Sequence, residues 1–230
     1  MTQTGRGSLT QHNLQINFLE LYRNDDRIFS EISFDLSEGQ HLLISGANGT
    51  GKTSLLRVIC GLTIPTGGTI LWNQLATNNI DCRYHEHLAY LGHKNALIPE
   101  LTARENLEYT FEGNRSINRT SSVLEAFGLN KYLDQYAEKL SNGQIRKVAL
   151  SRILLSEKTL WILDEPVANL DTSGTQFLLA EMQAHLGQGG MLITTSNLND
   201  QTLKPNSEIN LDKRSEERRV GKECRSRSSP

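Results

Sequence analysis

Eight residues, Gly46-Ala47-Asn48-Gly49-Thr50-Gly51-Lys52-Thr53, constrain this chain more than any others. They fit the pattern G-x-x-x-x-G-K-[ST]. Before them lies a short apolar run, His41–Ser45, and after them Leu55, Leu56, Val58 and Ile59 recur with helical spacing. A strand, a glycine loop and a helix in that order make a cradle for phosphate. The glycines let the backbone wrap tightly with its N–H groups pointing inward. The helix start adds unpaired donors and a favourable dipole. In such a cradle Lys52 reaches the outer phosphates and the Thr53 hydroxyl ligates Mg2+, with Ser54 next in the same turn. A plain glycine turn before a helix is the alternative, and the strand–loop–helix context argues against it.

A second acid-bearing segment complements the first. Leu160-Trp161-Ile162-Leu163 is an apolar strand, and Asp164-Glu165-Pro166 follows it. Asp164 at the strand end can hold Mg2+. Strand alternation is expected to turn Glu165 the other way, where it can polarise an attacking water. Acidic pairs are common in loops after strands. Beside a phosphate loop, however, the pair supplies the missing half of a phosphoryl-transfer site.

The remaining pattern is that of an α/β chain. Partial alternation predicts strands over Leu14–Tyr22 and Ile28–Leu36, joined by a turn at Asn24-Asp25-Asp26. Further strands are expected at Gly67–Trp72, Leu88–Leu91 and Met191–Thr195. Thr102 and Glu105 form a capping box that opens a helix. Residues 113–121 read as a polar loop, with helix resuming over Ser122–Phe127 and again over Thr172–Leu186. Strands alternating with helices imply a parallel sheet with crossover helices, and residues 94–157 form a mainly helical subdomain beside it.

With 24 basic and 26 acidic residues the net charge is −2, so no nucleic-acid partner is expected. No apolar run reaches the roughly 18 residues of a membrane span. Three scattered cysteines, Cys60, Cys82 and Cys224, make neither a disulfide framework nor a zinc pattern. Residues 1–11 are polar and expected to be disordered, with the folded domain over 12–213. Arg214–Pro230, with six basic and three acidic residues, resembles the translation of a sequencing-library adapter. It is set apart from fold reasoning as a non-native tail.

Leu140-Ser141-Asn142-Gly143-Gln144 opens another helix. Ser141 with Gln144 is a capping box and Leu140 with Ile145 a hydrophobic staple, so an ordinary helix start explains each residue. The helix then buries Ile145, Val148, Ala149 and Ile153. The segment also resembles the LSGGQ signature of ABC ATPases, with Asn142 in place of the first glycine. Asparagine accepts positive φ more readily than most residues, which makes the change mild. The order of the glycine loop, this segment and the Asp164–Glu165 strand is that of the family, and the resemblance runs from about residue 14 to 211.

That resemblance implies an ABC-type P-loop fold with an antiparallel β layer and a helical subdomain, hydrolysing MgATP. It implies a second ATPase subunit in a head-to-tail dimer, in which Ser141, Asn142, Gly143 and Gln144 contact the γ-phosphate held by the other copy. It also implies an integral membrane transporter subunit as partner, and a place at the cytoplasmic face of a bacterial inner membrane. Tyr22 stands where the family stacks an aromatic ring on adenine, although it can equally be a strand-end tyrosine. Asn169-Leu170-Asp171 resembles the D-loop. Two positions depart from the family: Gly92-His93-Lys94 replaces a loop that usually offers glutamine, and Ser196 replaces a histidine that touches the γ-phosphate. His93, together with Leu101-Thr102-Ala103-Arg104-Glu105-Asn106-Leu107, resembles the ATP-binding subunit of the haem exporter of bacterial cytochrome c maturation. Drift in an exposed loop is the alternative explanation of His93, and the haem-exporter reading is preferred to it. An exporter of different cargo, a soluble ABC protein acting on DNA or ribosomes, and a nucleotide-gated protein that does not hydrolyse ATP are the competing readings.

Overall fold

Chain order alone separates two kinds of sheet. In a computed structural model that describes residues 12–24, 26–78, 82–108, 117–196 and 203–212, the chain begins with two long strands, β1 (Asn13–Arg23) and β2 (Asp26–Ser37), paired as an antiparallel hairpin. β3 (His41–Ser45), the glycine loop and helix α1 (Lys52–Ile59) follow. β4 (Gly67–Trp72) and β5 (Leu75–Ala76) return to the hairpin and complete a four-stranded antiparallel layer ordered β2-β1-β4-β5.

The second sheet is parallel throughout. It consists of β6 (Leu88–Leu91), β7 (Leu160–Leu163), β8 (Met191–Ser196) and β9 (Ser207–Asn210) with β3, in the order β6-β7-β8-β3-β9. Helices α2 (Ala103–Glu108), α3 (Ile117–Ala126) and α4 (Asn142–Leu154) lie between β6 and β7 in sequence and form the helical subdomain. Helix α5 (Thr172–Gly187) connects β7 to β8.

Strands β7 and β8 read as nearly continuous apolar runs because both faces of their sheet are covered. Their pleat divides them between two cores. Leu160, Ile162, Met191 and Ile193 pack with α1 and the antiparallel layer against Leu55, Leu56, Ile16 and Ile32. Trp161, Leu163 and Leu192 face the opposite core, with Val148 and Leu150 of α4, Val123 of α3 and Leu178 of α5. A one-residue slip of β7 would put each residue into the wrong core. At the head of α1, Gly51 has φ 105, and a Cβ there would lie 2.9 Å from Cγ2 of Ile28. A residue with a side chain would be strained and would push β2 off the loop.

Strands β3, β4, β6 and β7 fall where the sequence pattern puts them. Three features differ. Helix α3 begins at Ile117, inside the stretch read as polar loop; its Val123 and Leu124 pack into the second core, so tertiary burial rather than local propensity sustains it. Strand β9 was not expected. Its four residues, Ser-Glu-Ile-Asn, are too few to show a period, and it exists through pairing on β3. The two-residue strand β5 was missed for the same reason. The N-terminal segment 1–11, Asp25 of the first turn, the polar stretch 109–116 and the tail 214–230 lie outside the described residues.

His41 yields a test of this packing. It is buried, its Nε2 lies 2.8 Å from the Thr194 hydroxyl, and burial lowers its pKa to about 4. Below the unfolded value of about 6.5 the unfolded chain takes up a proton that the folded one refuses. Stability is therefore full above pH 6.5 and falls as the pH drops toward 4, by an amount on the order of 3 kcal/mol from this group. Urea unfolding of His41→Asn should depend less steeply on pH over that window than the wild type, whatever its absolute stability.

Candidate functional site

Two chain segments meet at the C-terminal ends of the parallel strands, where open α/β sheets bind ligands, and a third is joined to them through α4. The first is the loop Gly46–Thr53 between β3 and α1. Ala47, Asn48 and Gly49 form its exposed crest. Lys52 is buried, and its Nζ donates to the carbonyls of Gly46 at 2.7 Å and Ala47 at 3.0 Å. The Thr50 hydroxyl donates to the Ala47 carbonyl at 2.9 Å. Asp212, just past β9, accepts the Ala47 N–H on both carboxylate oxygens, at 2.9 and 3.0 Å.

The second segment is the end of β7. Asp164 is only 2 % exposed. One of its carboxylate oxygens accepts the Thr53 hydroxyl at 2.7 Å, and the other accepts the Thr195 hydroxyl at 2.6 Å. The glycine loop and the acidic strand end therefore meet in direct contact. The Thr195 oxygen also accepts the backbone N–H of Glu165 at 2.9 Å. Glu165 lies beyond the strand with φ 46, so the pleat does not set its direction, contrary to the alternation argument. The backbone leaves extended geometry at Asp164, and a left-handed residue re-aims the chain. Ser196, the last residue of β8, sits opposite Ser45 in the β3 ladder, one position before the glycine loop.

The third segment is the start of α4. Ser141 and Gln144 form the expected reciprocal cap, with Gln144 Oε1 accepting the Ser141 N–H at 2.7 Å. Asn142 is the first helical residue and lacks positive φ, so tolerance of that conformation is not what admits asparagine here. A Cβ on Gly143 would lie 3.1 Å from the Asn169 carbonyl, so the Asn169–Asp171 turn rests on this helix start. Asp171 caps α5 and pairs with Lys147 at 3.0 Å. The contacts of Ser141–Gln144 thus run toward residues 169–171, and among the proposed site residues these four stand apart from the glycine loop. Tyr22 is 43 % exposed on β1 and faces Arg27, the residue before Ile28, which touches Gly51. His93 is exposed after β6.

Three residues that sequence reasoning passed over hold the site together. Thr195 bridges Asp164 and Glu165, and a hydroxyl at the buried end of an apolar strand was its signal. Asp212 follows a strand that had no pattern to find it by. Arg146 is buried in α4 and donates to the carbonyls of Asp164 and Glu165, both at 2.7 Å, and to Gly92 and Asn95 across the loop after β6. It could have been noticed, because Arg146, Ala149, Leu150 and Ile153 share one helical face that is otherwise apolar.

Replacing Thr195 by valine keeps the shape and removes both hydrogen bonds. The Glu165 N–H and one oxygen of a buried carboxylate would lose partners, a loss of about 2 kcal/mol. Chemical denaturation of Thr195→Val should show that decrease, whereas a change within about 0.5 kcal/mol would mean the bridge is not structural.

Comparisons with known proteins agree with this arrangement. The family model described as ABC transporter matches residues 29–168. The cytochrome c biogenesis ATP-binding export protein CcmA of Albidiferax ferrireducens is 41 % identical over 186 residues, covering 80 % of this chain and 89 % of that protein. The protein of the same name from Haemophilus influenzae is 38 % identical over 189 residues, covering 81 % and 89 %. A solved ATP-binding subunit of an ABC transporter superposes with a TM-score of 0.74 at 25 % identity, covering 80 % of this chain and 79 % of its own. The match spans the strand–loop–helix cradle and the acidic strand end, and the chain belongs to the ABC transporter ATP-binding family, among the CcmA proteins.

Proposed function

We propose that this chain hydrolyses ATP to drive export by a separate integral membrane subunit, and that the cargo system is haem export for cytochrome c biogenesis. The 2.7 Å contact between the Thr53 hydroxyl and Asp164 carries the reading, because it joins phosphate cradle and acidic strand end in one site. The relatives' role in cytochrome c biogenesis supports the cargo system.

Each residue has a role that its position supports. The N–H groups of Gly46–Thr53 and Ser54 cradle the phosphates, and the Lys52 ammonium exchanges its loop carbonyls for phosphate oxygens. Tyr22 stacks on the adenine. Thr53 and Asp164 are a hydroxyl and a carboxylate, hard oxygen donors that suit Mg2+. Among the described residues no cluster of three or more His, Cys, Asp or Glu could hold a metal. Mg2+ commonly takes only one or two protein ligands and completes its shell with phosphate and water, so this donor set fits it. Bound there, Mg2+ would neutralise charge on the phosphate oxygens. Glu165 accepts the proton of the attacking water.

The well-capped start of α4 is an anion site, and its exposed Ser141 and Asn142 meet the γ-phosphate held by a second copy of this chain in a head-to-tail dimer. The loop His93–Leu101 contacts the membrane subunit. It bears Ala96 and Ile98 exposed, with Leu97 and Leu101 half-buried, apolar side chains against which a partner helix can pack. No helix among the described residues is long and apolar enough to cross a membrane. Docking to the membrane subunit places the chain peripherally at the cytoplasmic face of the bacterial inner membrane.

Lys52→Ala should abolish ATP binding or turnover, and Glu165→Gln should retain ATP while releasing no phosphate. A Glu165→Gln enzyme that turns over like wild type would falsify the assignment of the base. In cells lacking their own such subunit, the wild-type gene should restore c-type cytochromes and neither variant should.

Ser196 is shorter and neutral where a histidine is usual, so it reaches phosphate only through a bridging water. Hydrolysis is accordingly slow, by about a hundredfold for one missing well-placed donor. Ser196→His should raise the single-turnover rate with little change in ATP affinity. An unchanged or lower rate would show the site to be built around serine.

A further inference from the structure

Arg146 is 3 % exposed. A guanidinium withdrawn from water must be compensated by close acceptors. It sits near the charges of Asp164 and Glu165, yet its four hydrogen bonds among the described residues go to neutral oxygens: three peptide carbonyls and one amide. Such a group is a rigid planar fork whose directions fix the positions of what it holds.

The two sides of the fork hold different segments. Nη2 donates to the carbonyls of Asp164 and Glu165, both at 2.7 Å. Nη1 donates to the Gly92 carbonyl at 3.1 Å and to Asn95 Oδ1 at 3.0 Å. His93 and Lys94 lie between those last two partners. The fork is anchored in turn on α4, two residues past the capped start Ser141–Gln144.

What the fork holds is strained. Glu165 has φ 46, a left-handed conformation that costs a glutamate free energy and persists only where surroundings over-determine it. Here the Glu165 N–H is fixed by Thr195 at 2.9 Å and its carbonyl by Arg146 at 2.7 Å. Both peptide groups of the residue are pinned, one by β8 and the other by the helical subdomain. Of the two clamps, only Arg146 also touches the loop after β6.

We propose that Arg146 is a positioning residue that holds Glu165 in its left-handed conformation and makes that conformation depend on the seating of the Gly92–Asn95 loop and of α4. Movement of the loop or the helix shifts the fork, and a shift of the fork releases the Glu165 carbonyl. Placement of the attacking water is then lost while the phosphate cradle, on the other side of Asp164, is unaffected. The proposal rests on the reading of Glu165 as the base.

The test uses the full chain with MgATP, measuring ATP affinity, single-turnover rate and melting temperature together. Lysine keeps the charge but cannot serve both sides of the fork, so Arg146→Lys should lose at least ~tenfold in single-turnover rate, as small misplacements of a catalytic group do. Its ATP affinity should stay within about twofold, because the cradle is untouched. Asn95→Ala removes one loop acceptor and leaves both strand-end bonds. It should lose roughly threefold in rate with affinity and melting temperature unchanged.

Wild-type rates in Arg146→Lys, or a loss of rate matched by an equal loss of ATP affinity, would overturn the proposal. If Arg146→Lys does not accumulate as folded protein, Asn95→Ala decides: a wild-type rate there rules out the coupling to the loop. A Glu165→Gln enzyme as active as wild type removes the reading of Glu165 instead, a result visible without touching Arg146.

Discussion

Everything at this site hangs on one buried carboxylate. Asp164 ends its strand 2 % exposed, and a charge in that position would cost several kcal/mol without partners. Two threonine hydroxyls donate to it, Thr53 from the glycine loop and Thr195 from β8. Hydrogen bonds to a charged group are worth roughly 1.5–3 kcal/mol each, so the pair offsets much of that cost. The same two bonds tie the ends of three elements, α1, β7 and β8, into one rigid unit. A site proposed to place phosphate, metal and water relative to each other gains from such prior order, because little has to be reorganised at the moment of reaction.

The two-sided sheet makes that order possible. Alternate residues of β7 and β8 are committed to different cores, which fixes the register of both strands and hence the height of Asp164 and Thr195 relative to the loop. α1 is pressed between the sheet and the antiparallel layer, so Lys52 and Thr53 start from a helix that cannot drift. The helical subdomain is seated by the second apolar core, with Val123 of α3 and Val148 and Leu150 of α4 against Trp161, Leu163 and Leu192. Polar links are added to that packing: Arg146 reaches the strand end, and the Lys147–Asp171 pair, a weaker kind of link, reaches α5. Apolar packing sets both halves of the site, and polar contacts join them.

Legibility in the sequence followed the same division. Strands buried on both faces were found to within one residue of their bounds because an apolar run is itself the consequence of that burial. The glycine loop and the caps at Thr102 and Ser141 were found because their chemistry is local. What escaped was what depends on distant partners. β9 is a strand only because β3 offers it a ladder, and Asp212 meets Ala47 across 165 positions of the chain. Glu165 lies past the strand end at φ 46, and a left-handed turn after a strand leaves no trace in alternation. Arg146 looked like an ordinary helix residue until the helix face it shares proved to be buried.

The metal end of the site is the most direct place to challenge this picture. Electron paramagnetic resonance can count Mn2+, a stand-in for Mg2+, as it is titrated into protein loaded with ADP. The structure leads to one tightly held ion per nucleotide in the wild type, and to a loss of at least ~tenfold in Mn2+ affinity on Asp164→Asn, with ADP binding retained. Equal Mn2+ affinity in the two proteins would contradict the pairing of Thr53 and Asp164 as the metal side of the site.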